Sequence, residues 1–187
     1  MRLRVHFGIL VAMAGTATSE ERPDHNRFMK KTFGKTTLIQ TGVGAGILEA
    51  RNSPHEWGRG AAGFGKRVGS VFGKHLIKSS IQTTVGKIRH EELGYRPSGK
   101  QGFGPRMKYA LLSTVLTRKT TTRNKTVASG RISGAFGAGF ISRLWMPARL
   151  HTISSGIGSS GISLGADAGT NVVREFWPEI RHPRRRK

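Results

Sequence analysis

The sequence predicts a mainly α protein: a compact helical bundle packed through glycine stripes, joined by irregular loops rich in Gly and Pro. Three observations carry that expectation. The first is spacing. Gly130, Gly134 and Ala138 recur every four residues, as do Gly161, Gly165 and Gly169, and as do Ala61, Gly65, Gly69 and Gly73; Gly42 and Gly46 make a shorter stripe. Residues four apart share a helix face. A face without side chains lets a second helix approach closely, the small-xxx-small contact. The second is composition: 26 of 187 residues are glycine, about twice the usual ~7%, and they sit beside Ile, Leu, Val and Phe. The third is periodicity. Trp57, Phe64, Val68, Val71, Phe72, Leu76 and Ile77 return at three- and four-residue steps, the pattern of an amphipathic helix.

Along the chain, residues 1–19 read as a signal or targeting segment. Arg2 and Arg4 precede the apolar run Val5 to Ala14, and Ala14-Gly15-Thr16-Ala17 offers small residues for cleavage. That order is the one of an export signal; a buried N-terminal element or an amphipathic presequence are the alternatives. Residues 20–35 form a basic linker, residues 36–180 a single helical domain, and residues 181–187 a solvated basic tail.

Within the domain, a first helix is expected from Thr36 to Ala50, ending before Asn52-Ser53-Pro54. Ser53 as cap, Pro54 at the first position and Glu56 after it then predict a long helix to about Ile88. Residues 95–106 read as irregular, Met107 to Thr117 as a short apolar run, and the threonine-rich stretch to Thr126 as an exposed loop. A β-hairpin is the alternative there, because threonine favours strands. Val127 to Trp145 reads as a helix broken at Pro147, and about Ser155 to Phe176 as another, stopped by Pro178.

The charge is the main functional signal. Lys and Arg total 32 against 10 Asp and Glu, giving +22 and a pI near 11.8. Such a chain seeks polyanions: an anionic membrane surface or nucleic acid. No segment has the roughly 18 apolar residues of a membrane span. Trp57, Trp145 and Trp177 stand near expected helix ends beside Arg59, Arg143 and Arg174. They suit an interfacial aromatic belt and a soluble core equally well.

The search for chemistry returns little. Cysteine is absent, which removes thiolate ligands and nucleophiles. Gly34-Lys35-Thr36 lacks the glycine of a phosphate loop, since Met29 stands there. The seven histidines have no paired helical spacing and no HExxH, so no metal site is expected; His90-Glu91-Glu92 reads as a solvated helix end. No serine elbow occurs. The candidate acids are few: Glu49, Glu56, Asp167 and Glu175. Asp167, between Gly165 and Gly169 near a face expected to be packed, stands out as a buried carboxylate paired with an arginine such as Arg131 or Arg143; the wet face is the favoured alternative, because ionisable residues mostly stay exposed. No catalytic or cofactor-binding residue, cofactor or small-molecule substrate is therefore assigned, and the chain reads as a non-enzymatic protein.

Four blocks look familiar together: Asn52 to Gly60, Gly102 to Arg106, Ser133 to Ser142 and Val172 to Pro178. Over roughly residues 45–180 the chain resembles an uncharacterised family of small, exported, glycine-rich bacterial proteins. The resemblance implies an envelope location and carries over no functional residue. The expectation is a membrane-associated or envelope protein with a basic surface, the alternative a nucleic-acid- or ribosome-associated protein in the cytoplasm. The bare helix faces would also suit a second copy of the chain.

Overall fold

A computed structural model describes Met29 and residues 33–181. The expected targeting segment, nearly all of the expected basic linker, the residues beyond Arg181, and His6, His25 and His182 lie outside the described residues. The protein is mainly α. Helix α1 spans Lys35–Ala50, α2 Ala61–Ile88, α3 Phe103–Leu112, α4 Ser129–Ile141 and α5 Ile153–Arg181; strands β1, Leu116–Arg118, and β2, Lys125–Val127, form one antiparallel hairpin with Thr117 opposite Thr126. Helix α4 is central and packs against α2 on one side and α5 on the other. Helix α1 lies on α2, and α3 lies on α5.

The interior is made of small and polar residues. Among the described residues the buried hydrophobic side chains of the core are the alanines Ala45, Ala110, Ala128, Ala135 and Ala138. Buried beside them are Thr37, Thr41, Ser70, Ser79, Gln82, Ser142, Ser160 and Asn171. The helices meet at backbone distance. A Cβ on Gly130 would lie 2.8 Å from the Gln82 carbonyl oxygen and 3.2 Å from Gly86 Cα; one on Gly134 would lie 2.8 Å from the Lys78 carbonyl oxygen. On the other side of α4, a Cβ on Gly139 would lie 2.8 Å from the Gly156 carbonyl oxygen of α5.

The remaining stripes differ from the expectation. Gly161, Gly165 and Gly169 have nothing within 4 Å of an added Cβ, and neither do Gly65, Gly69, Gly42 or Gly46. Gly73 meets only the Trp145 ring at 3.7 Å, and Ala61 is exposed. The inward face of α2 is offset from the anticipated one and carries Gly63, Arg67, Ser70, Ser79, Gln82 and Gly86. The reason is polar. The Arg67 side chain, 0% exposed, donates from Nε to the Ser53 carbonyl at 3.1 Å. Its Nη1 donates to Glu49 Oε2 at 2.6 Å and the Gly58 carbonyl at 2.7 Å, and its Nη2 to Asn52 Oδ1 and the Pro54 carbonyl. A buried guanidinium needs such partners, and meeting them fixes the rotation of α2.

The same cage shortens the helix. Residues His55–Trp57 form a separate 3-10 turn and Ser53 provides no side-chain cap, so α2 starts at Ala61 rather than Pro54. Gly58 and Gly60, with φ of 68° and 92°, turn the chain between them, conformations that side chains disfavour. Further on, Gly102 with φ 86° launches α3 inside the stretch expected to be irregular. The threonine-rich stretch is the hairpin rather than a plain loop. Helix α4 stops at Ile141 and passes into a 3-10 turn, Ser142–Trp145. Helix α5 runs through Pro178 to Arg181 instead of stopping. Arg106 reaches across that proline, bonding the Glu175 carbonyl from Nη2 at 2.5 Å and pairing with Glu179.

Candidate functional site

The segment after α2 builds the most distinctive surface. Gly86 has no side chain where Leu93 folds back, and a Cβ there would strike the leucine at 2.4 Å. Glu91 turns inward. Its carboxylate accepts from the Ser129 and Gly130 amides at 3.1 and 2.9 Å, the first free donors of α4. No side chain of α4's own N-cap, Ala128, makes such a bond. A carboxylate at that end satisfies orphan N–H groups and faces the positive end of the helix dipole. The backbone of Glu92 then joins the hairpin, with Glu92 N donating to the Arg118 carbonyl and Thr117 Oγ1 to the Glu92 carbonyl, both at 2.8 Å.

The following loop is anchored on Glu175 of α5, which is buried. Its carboxylate accepts from the Tyr95 hydroxyl at 2.5 Å, the Ser98 amide at 2.9 Å, the Ser98 hydroxyl and Arg106 Nε at 3.2 Å. Burial works to raise the Glu175 pKa, but the bonds from Ser98, Tyr95 and Arg106 outweigh it and the carboxyl is held below its usual value. Burial first, and then the bond to Glu175, push the Tyr95 hydroxyl up, keeping it a donor. The Arg106 guanidinium also lies 4.4 Å from the centre of the Phe176 ring, a cation–π contact.

Between this loop, α3 and the hairpin opens a cleft of about 740 Å³. Its cations are Arg96, Lys100, Lys108, Arg118, Lys125 and Arg131; its one acid, Glu92, is already paired with Arg96. Tyr95, Tyr109, Leu112, Leu116 and the two prolines Pro97 and Pro105 supply apolar wall. Arg131, on α4, is 8% exposed. It donates to the carbonyls of Ser113 and Gly94, and no carboxylate among the described residues forms an ion pair with it. Burial draws its pKa down.

Asp167 is half-buried and bonds Lys78 Nζ at 2.7 Å. Its partner is thus neither Arg131 nor Arg143: Lys78 on α2 faces α5, while Arg143 turns to the His151 carbonyl and Arg131 to the cleft. The three tryptophans are divided. Trp145 donates from Nε1 to Ser70 Oγ at 3.0 Å, which ties it to α2, whereas Trp177 stands 51% exposed and Trp57 half-buried. Among the described residues no three His, Cys, Asp or Glu side chains gather as a metal site. His90, Glu91 and Glu92 divide between the hairpin, α4 and Arg96.

Sequence reasoning counted Glu175 among the few candidate acids but singled out Asp167, and it missed Arg67, Glu91 and the cleft cations. A signal existed in the pairing of Arg106 and Glu175, which lie in two of the four familiar blocks, but nothing in their spacing joins them. Comparison with protein-family models, with curated proteins and with solved structures finds no match, so the functional reading rests on the chain's own residues.

Proposed function

We propose that the protein is a non-enzymatic, membrane-associated protein of the bacterial envelope that rests on an anionic bilayer. One observation carries the reading: among the described residues the fully buried side chains are small or polar, while many large apolar ones stand exposed. On α1, Leu38, Ile39, Val43 and Ile47 are exposed, Ile39 by 66%, while Thr37, Thr41 and Ala45 face α2. No formal charge occurs from Thr36 to Leu48. Ile153, Ile157 and Ile162 do the same on α5, Ile162 being 77% exposed. Large exposed apolar surface marks a site of association, and the charge of +22 selects an anionic one. Each Lys or Arg near such a surface adds about 1 kcal/mol. No described helix is long and apolar enough to cross a membrane, and the proposed attachment is interfacial.

Sedimentation with vesicles tests this. The protein should pellet with phosphatidylcholine vesicles containing phosphatidylglycerol and much less with phosphatidylcholine alone. A fraction should resist high salt, and an Ile39→Glu, Val43→Glu variant should lose that fraction. Protein that stays in solution with both vesicles yet is retained by RNA belongs to the nucleic-acid class instead.

A further inference from the structure

We infer that the cleft between the Glu92–Lys100 loop, α3 and the hairpin is a binding site for a phosphate-bearing anion, with Arg131 as its anchor. The inference is independent of membrane attachment. Its first support is Arg131. A guanidinium has five N–H donors, and only two bonds to carbonyls are made here, to Ser113 and Gly94. Each nearby carboxylate is committed elsewhere: Asp167 to Lys78, Glu91 to the start of α4, and Glu92 to Arg96. A buried cation without a dedicated counter-charge is costly, and an anion in the cleft would supply one.

The second support is the rim. Lys108, Arg118 and Lys125 are exposed and lack an acidic partner among the described residues. Lys100 has a ring for company, its Nζ lying 5.8 Å from the centre of Tyr109. Several cations converging on one cleft favour a ligand with several negative oxygens. A phosphate offers these to both the planar fork of an arginine and the point charge of a lysine. The volume of about 740 Å³ is that of a small-molecule site. The tyrosines, Leu112 and Leu116 would contact the uncharged part of a phosphate ester. The N-terminus of α4 is not the anion site, because Glu91 fills it.

Pyrophosphate is the probe, followed by calorimetry and thermal melting of the full chain. The parent should bind it and melt at a higher temperature in its presence. Lys108→Ala with Lys125→Ala, both at the exposed rim, should weaken binding by ~10-fold or more, the scale of lost charge-assisted bonds. Arg131→Met should abolish the melting shift; should that variant not fold, the rim pair decides. A phosphate from a lipid headgroup and a soluble phosphate ester differ in a second arm: phosphatidylglycerol vesicles displace pyrophosphate in the first case and leave it bound in the second. Absence of pyrophosphate binding by the parent, or equal binding by parent and rim variant, overturns the inference. Because the first arm contains no membrane, vesicle attachment without pyrophosphate binding removes the cleft alone, and the reverse removes the membrane reading alone.

Discussion

On α4, a side chain at Gly130 or Gly134 would strike the backbone of α2, and one at Gly139 the backbone of α5; on α5, Gly161, Gly165 and Gly169 repeat the four-residue spacing and meet nothing within 4 Å. Spacing decides which residues share a helix face, but not which way the face turns. Helix α4 is covered on two sides, so its bare surface has a neighbour. Helix α5 is covered by α4 and α3, and it turns toward them the residues that need partners. Asn171 donates to Thr114 Oγ1 at 3.3 Å, Ser160 is buried against Gly139 of α4, and Glu175 gathers its four donors. A buried polar group left unpaired costs about 1–3 kcal/mol. Helix α2 obeys the same rule through Arg67.

The comparison can be broken or sharpened by substitution. The largest effect is expected at Arg67, because its removal orphans the carbonyls of Ser53, Pro54 and Gly58 and leaves Glu49 without its cation. Arg67→Met should cost about 3–5 kcal/mol in denaturant unfolding, and a loss below ~1 kcal/mol would show that other contacts orient α2. Next comes the packed stripe. Gly134→Leu should lose up to about 3 kcal/mol or more by overpacking against the Lys78 carbonyl, read as a lowered melting temperature. On the open stripe the sign reverses. Gly165→Ala meets no atom and should gain about 0.5–1 kcal/mol, since glycine is the weaker helix former. If Gly134→Ala and Gly165→Ala shift the melt in the same direction, the distinction between the stripes fails.

The mildest effect is expected from acid. The Glu175 carboxyl is held below the ordinary value of a glutamate, about 4.5, in the folded state. It binds a proton more readily when unfolded, so its contribution is present above that value and is lost as pH falls through the folded pKa. Glu175→Gln should flatten the acid limb of a stability–pH profile between pH 4.5 and lower values; an unchanged limb would assign acid sensitivity to other carboxylates.

Much of the helical architecture was legible. Helix α1, the breaks at Pro54 and Pro147, and the mainly α class follow from periodicity and breakers, which act within a few residues. Pro178 shows the limit: a breaker by local rules, it is carried inside α5 by Arg106, which lies some seventy residues away and pairs with Glu179 beyond it. The cleft was legible only as an excess of charge. Lys100, Lys108, Arg118, Lys125 and Arg131 come from a loop, a helix, two strands and another helix, and no local spacing relates them.

By itself the sequence determined the helical class, the four-residue glycine spacing and the strong positive charge, because these depend on neighbours in the chain and on sums. The tertiary structure alone decided which stripe is a contact, which cations converge and which carboxylates are occupied. Those outcomes depend on how each helix is rotated about its axis, and here that rotation is set by a few buried polar side chains finding partners distant in sequence.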